Sequence, residues 1–118
     1  QKVRELKTAL LDLLSRLKSE GGSIAAYGAP AKATTLLNYL DVGPETVAYT
    51  VDRSEHKQGR FIPGVRVPIH PPEKLTEDQP DYALLMVWNL ADEIIRQQQS
   101  YVERGGKFVV PIPEPRIV

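Results

Sequence analysis

Lys32, Asp52, Lys57 and Arg60 are the charged side chains whose spacing carries the strongest chemical meaning in this sequence. Lys32 belongs to Gly28-Ala29-Pro30-Ala31-Lys32, which follows a short apolar run and opens a helical pattern. Such a turn brings the free N–H groups of a helix start, the positive end of its dipole and Lys32 to one point, a setting for an anion. Asp52 closes the next strand-like run, about 20 residues beyond the glycine turn, where a dinucleotide-binding domain keeps a carboxylate for ribose hydroxyls. The glycine pattern is nevertheless wrong for an ordinary dinucleotide. Only Gly28, the first glycine of that fingerprint, is present. Pro30 stands at the second position, without an N–H and with bulk where a pyrophosphate would approach, and Ala33 stands at the third. A held phosphate or sugar-phosphate and a purely structural turn both remain open, and both fit better than NAD.

The other candidates carry two readings each. Asp52 is a ribose contact, or a loop aspartate that pairs with Arg53 or caps a turn. The run Arg53-Ser-Glu-His-Lys-Gln-Gly-Arg60 is a loop that closes over an anion, with Lys57 and Arg60 as its working members, or a solvated surface loop. His56 and His70 have no carboxylate at metal-ligand spacing and read as structural or surface residues before general bases. Trp88 stacks on a base or sugar, or packs on the next helix. Asn89, with Asp92 three residues later, resembles a capping box and reads first as a helix N-cap. No Ser-His-Asp set, paired-carboxylate site, metal site or complete Walker loop is present, so no catalytic residue is assigned.

The elements that must hold these residues alternate. Val3, Leu6, Leu10, Leu13, Leu14 and Leu17 recur at helical spacing and predict a helix over 2–19, closed by Gly21-Gly22. Strands are expected at 24–27, 46–51, 65–69, 82–87 and 107–110. Helices are expected at about 31–40 and 90–104, with a brief helical turn or loop at 71–75. A Pro-rich tail from Pro111 is expected to end the domain. This order predicts an α/β, Rossmann-like three-layer α/β/α fold preceded by an N-terminal helix. Its five or so parallel strands run in the order 3-2-1-4-5, with the switch point between strands one and four. Ligands in such sheets bind beyond the carboxyl ends of the strands, where Gly28–Lys32, Asp52–Ser54 and Trp88-Asn89 converge.

Composition narrows the classes. A chain of 118 residues with 42% hydrophobic and 25% charged residues is one ordinary globular domain, 1–118. Fifteen Lys+Arg balance fifteen Asp+Glu, so no basic field argues for nucleic acid or an anionic membrane. Cys 0 excludes a disulfide framework, a thiolate metal site and a cysteine nucleophile, and suits a cytoplasmic location. No apolar run reaches membrane-spanning length. Met86 is the only methionine, so Gln1 reads as an internal position of a longer protein.

An ordered series of short motifs adds to this reading. Tyr27-Gly-Ala-Pro-Ala-Lys32, Leu36-Leu-Asn38, Val51-Asp52, Lys57-Gln-Gly-Arg60, Pro63-Gly64, Pro68-Ile69, Pro80-Asp-Tyr82, Trp88-Asn89 and Gly105–Pro113 resemble the carboxyl-terminal domain of the SAM-dependent sugar C-methyltransferases of deoxysugar and antibiotic biosynthesis. The resemblance implies a longer enzyme with an amino-terminal region holding a structural zinc. A central domain would hold S-adenosylmethionine and the catalytic tyrosine and histidine. In that enzyme a base removes a proton beside the ketone of a nucleoside-diphosphate keto-deoxysugar, and the enolate takes the methyl group. This domain, with no cofactor of its own and no activity alone, would pack on the central domain and help enclose the nucleotide-sugar. Gly28, Ala29, Pro30, Ala31, Lys32, Asp52, Lys57, Arg60, Trp88 and Asn89 fall on its motifs and are the expected substrate contacts. The alternatives are a structural lid with a vestigial nucleotide pocket and, less favoured, an independent NAD-binding domain.

Overall fold

Strand β1, Ile24–Tyr27, is buried at all four positions, and its alternation splits the interior into two layers. Ile24 and Ala26 point to one side of the sheet, and Ala25 and Tyr27 to the other. The computed structural model describes residues 2–29, 31–87, 90–111 and 115–118, with the backbone alone for 2–6, 31–34 and 116.

Helix α1, Lys2–Ser19, lies on the first side and buries Leu10, Leu14 and Leu17, one stripe of its surface. The side chains of Val3 and Leu6 lie outside the described residues. Helix α2, Ala31–Leu40, joins this layer through Leu37 and Leu40. A cation–π contact links the two helices, with Lys7 Nζ 4.8 Å from the Tyr39 ring centre.

Strand β2 covers only Thr50–Val51, against an expectation of 46–51. The Thr46 and Val47 N–H groups both donate to the Gly43 carbonyl, so these residues form a turn despite their β-branching. The chain enters the sheet when the Ala48 N–H donates to Ile24 and Ala26 donates to Tyr49. Strand β3 is Ile69–His70, not 65–69. Residues 61–68 instead fold back on themselves through an antiparallel bridge between Phe61 and Pro68, and Arg66 adopts φ 62°.

The brief turn expected at 71–75 is a short helix α3, Glu73–Asp78, which buries Leu75 in the second layer. Strand β4 is Tyr82–Leu85, two residues shorter than expected. The helix expected over 90–104 is two helices, α4 (Ala91–Gln97) and α5 (Gln99–Glu103), with Gln98 between them at φ −102°, ψ 33°. Neither Gly nor Pro breaks the sequence there. Both helices contribute to the second layer, α4 through Ile94 and α5 through Tyr101. Strand β5, Lys107–Val110, matches the expected span. Tyr101 is fully buried edge-on to Phe108, with ring centres 5.4 Å apart, and its hydroxyl donates to the Pro80 carbonyl at 2.9 Å. Gly106 permits this, because a Cβ there would collide with the Tyr101 ring.

The sheet has the expected parallel order, β3-β2-β1-β4-β5, with α1 and α2 on one face and α3 to α5 on the other. The Pro-rich tail does not end the sheet. Residues Arg116–Ile117 form β6, antiparallel to β5, with Val109 opposite Ile117 and Val110 opposite Arg116. No helix among the described residues is long and apolar enough to cross a membrane.

Candidate functional site

The strands are added outward in one direction from β1 to β3 and in the other from β4 on, and the crevice at the carboxyl ends of the parallel pair β1 and β4 holds the candidate site. On its floor β1 ends in Tyr27 and the chain turns at Gly28, whose φ of 98° is the left-handed region that glycine occupies without a Cβ penalty. The Gly28 N–H donates to Val51 and the Thr50 hydroxyl donates to the Gly28 carbonyl at 2.7 Å, so β2 pins the turn from its open side.

Asp52 completes the clamp. The Ala29 N–H donates to Asp52 Oδ2 and the Ser54 N–H donates to Oδ1, each at 2.8 Å. The carboxylate thus ties the glycine turn to the loop after β2, the turn-capping role that was one of its two readings. Lys57 Nζ donates to the Ala29 carbonyl at 3.0 Å, and Gln58 Nε2 donates to the Asp52 carbonyl at 2.8 Å. The loop over 53–60 is therefore strapped onto the glycine turn by its own side chains.

Two cavities open above this floor. The smaller, about 200 Å³, is bounded by Tyr27, Gly28, Asp52 and Arg53 on the sheet side and by Val87, Leu90, Glu93, Ile94 and Gln97 on the helix side. The larger, about 620 Å³, lies between the 53–58 loop, Pro71-Pro72-Glu73 and the end of α4. Arg53 and Gln97 line both, so the two cavities adjoin at these residues as one groove. A third cavity of about 300 Å³, bounded by Gly21, Asp81 and Gly105, lies at the amino ends of the strands, away from the crevice.

Tyr27 is 4% exposed and its hydroxyl is sealed from solvent. Burial raises its pKa, while the Arg53 guanidinium and the neighbouring Gln98 amide pull it down and Asp52 pushes it up. Gln98 stands beside the hydroxyl without meeting hydrogen-bond geometry. Arg53 thus lies within electrostatic reach of both Tyr27 and the groove.

Of the expected contacts, Gly28 and Asp52 line the groove, and Ala29 and Lys57 form the clamp behind it. Arg60 is exposed and is not among the groove's lining residues. Its carbonyl accepts from Ile69, which holds it beside β3. Ala31 and Lys32 lie in the first turn of α2, with side chains outside the described residues. Pro30, Trp88 and Asn89 lie outside the described residues altogether. The N-cap of α4 is Leu90, which provides no side-chain cap. His56 is exposed, and His70 packs edge-on to Tyr49 with ring centres 5.5 Å apart. No cluster of metal-ligating side chains occurs among the described residues.

Tyr27 belongs to the glycine-turn motif without being counted among the expected contacts, whereas Arg53 and the glutamines of α4 and its end are groove residues outside the motifs. The signal for Arg53 was its place directly after Asp52. For Gln97 and Gln98 there was none, because a continuous helix was expected there.

Two comparisons bear on this arrangement. Residues 1–113 match the sequence profile of the C-methyltransferase C-terminal domain. The chain is also similar to the C-methyltransferase NovU of Streptomyces niveus, 39% identical over 113 residues. That alignment covers 96% of this chain and 27% of NovU, so the chain spans about a quarter of that relative's length.

Proposed function

The chain belongs to the C-methyltransferase C-terminal domain family, and we propose that it is the substrate-side domain of a SAM-dependent C-methyltransferase. In this reading, residues 1–118 act as one unit of a longer protein. They hold the nucleotide part of a nucleoside-diphosphate keto-deoxysugar while a central domain outside this chain carries out methyl transfer. The observation that carries the reading is Arg53 lining both adjoining cavities at the carboxyl ends of the strands, with Gly28 of the glycine turn lining one of them. A guanidinium there suits a diphosphate, because its planar fork matches phosphate oxygens.

Both oxygens of Asp52, the carboxylate expected to take ribose hydroxyls, accept backbone N–H groups as part of the clamp. In this reading the cofactor and the structural zinc belong to the part of the parent protein outside this chain, and this chain alone is assigned no catalysis. What its residues contribute is binding and orientation. The clamp from Asp52 and Lys57 fixes the turn before α2, so the groove floor is set before ligand arrives.

The test is a titration of the isotope-labelled chain with nucleoside diphosphates. Amide signals of Gly28, Ala29 and Arg53 are expected to shift, and Arg53→Ala to weaken binding about tenfold, worth about 1.4 kcal/mol. Signals unmoved at millimolar ligand would count against the reading. One observation favours a second reading, a structural lid with a vestigial pocket: the Asp52 carboxylate and the Lys57 ammonium bond to the protein itself. In that case Arg53→Ala in the parent enzyme leaves substrate KM unchanged, while deleting the domain lowers the parent's stability.

A further inference from the structure

Arg53 is exposed and long, so the direction in which it leaves the 53–60 loop is set by the two peptide planes that meet at its Cα. Both planes are held. The carbonyl of the first, between Asp52 and Arg53, accepts from Gln58 Nε2 at 2.8 Å. The N–H of the second, between Arg53 and Ser54, donates to Asp52 Oδ1 at 2.8 Å. Holding both planes fixes φ and ψ of Arg53, and with them the direction of its Cβ. The Ser54 carbonyl accepts the Lys57 and Gln58 N–H groups at 3.1 and 3.2 Å, which closes the turn that returns Gln58 to Asp52. The sheet supplies the anchor, since the Asp52 N–H donates to the His70 carbonyl. Gln58 lines the larger cavity beside Arg53, yet its amide nitrogen is directed back into the loop.

We propose that Gln58 is the positioning residue of Arg53, holding the arginine's backbone so that the guanidinium is presented to the groove. The proposal rests on the diphosphate reading of the groove. An arginine that must be ordered as it binds gives up part of its interaction with an anion to that ordering, and one whose stem is already fixed keeps it. Asp52 holds Arg53 from the other side, but its carboxylate also caps Ala29, so losing it disturbs the whole groove floor. The Gln58 amide bonds to the peptide before Arg53, and its loss leaves the floor bonds of Asp52 and Lys57 in place. Its removal therefore isolates the arginine.

The experiment titrates inorganic pyrophosphate into the isotope-labelled 118-residue chain and its variants. Gln58→Met keeps the side-chain length and removes the donor. It should weaken binding about fivefold, the size of one neutral hydrogen bond. In an Arg53→Ala background the same change should alter affinity by less than about twofold, because Gln58 acts only through the arginine. Gln58→Asn keeps the amide but falls short by one methylene, and should behave as Gln58→Met does. At saturating pyrophosphate the Arg53 Nε–H signal should shift less in Gln58→Met than in the wild type, while the Gly28 amide shifts equally in both. That comparison decides the matter if Arg53→Ala binds too weakly to measure. Wild-type affinity in either Gln58 variant refutes the positioning role and leaves the diphosphate reading standing. An equal loss in both backgrounds, or an unaltered Arg53 shift, refutes it as well, since Gln58 then acts apart from Arg53. If the wild-type chain does not respond to pyrophosphate, the diphosphate reading fails and the positioning role with it.

Discussion

Replacing Asp52 by asparagine tests whether the site floor is held by one carboxylate. Its two oxygens accept the Ala29 and Ser54 N–H groups at 2.8 Å, short bonds to a charged acceptor. Asparagine keeps one carbonyl oxygen. If that oxygen stays with Ser54, the new NH2 group faces the Ala29 N–H, donor against donor, and both lose a partner. Ala29 is 8% exposed, so water replaces the lost acceptor poorly. A hydrogen bond to a charged group contributes about 1.5–3 kcal/mol, so Asp52→Asn should cost about 2 kcal/mol, roughly a thirtyfold shift toward the unfolded chain. Asp52→Ala, which loses both bonds, should cost more. Urea denaturation of the 118-residue chain measures both, and the Ala29 amide signal should move upfield in each variant. A loss under about 0.5 kcal/mol in both, with the Ala29 signal in place, would refute the clamp.

Three further outcomes follow from the core and the turn. Gly106→Ala should destabilise the chain by about 1–3 kcal/mol, since a methyl group there displaces the fully buried Tyr101 ring, and urea denaturation would show it. Gly28→Ala should cost about 1–2 kcal/mol because of its φ of 98°, and should shift the Thr50 signals, since the Thr50 hydroxyl bonds to the Gly28 carbonyl. The tyrosines set the alkaline limit. Burial raises the phenols of Tyr27, Tyr49 and Tyr101 above their ordinary 10.0, Tyr49 also through its bond to Asp78. A pKa raised in the folded state gives stability that is whole below pH 10 and lost as pH rises beyond it. Absorbance titration should therefore show three of the five tyrosines ionising only as the chain unfolds, and their ionisation near pH 10 in folded protein would contradict their burial.

The sequence carried most of the architecture because hydrophobic period and glycine punctuation agreed with each other. Ile24–Tyr27, Ala31–Leu40 and Lys107–Val110 have the expected spans, and the strand order follows from right-handed crossovers. The misplaced boundaries share one cause, tertiary contacts that override local preference. Thr46 and Val47 favour a strand but bond back to Gly43. Gln97 to Gln99 favour a helix, but the chain bends at Gln98, and the turn that follows is tied down by the bond from the Tyr101 hydroxyl to Pro80 and the bond from Gln79 to the Tyr101 carbonyl. The site divides the same way. Gly28 and Asp52 were legible because their backbone roles fix their spacing. The prominence of Arg53 over Arg60 was not, since it depends on which side of the 53–60 loop faces α4.

The short antiparallel strand β6 has a consequence for the behaviour of the chain in concentrated solution. Without it, β5 would be the outer strand of the sheet, with Phe108, Val109 and Val110 in sequence and a row of open hydrogen-bonding groups. A flat apolar border of that kind recruits other chains into growing sheets. The Val118 and Phe108 main chains instead bond to each other in both directions, at 2.9 and 3.3 Å, and occupy that border from within the same molecule. The opposite border, β3, is two residues long and lies between Pro68 and Pro71, which cannot donate to an incoming strand. Strand β6 thus covers the apolar border of β5, and removing residues 115–118 is expected to raise the chain's tendency to aggregate.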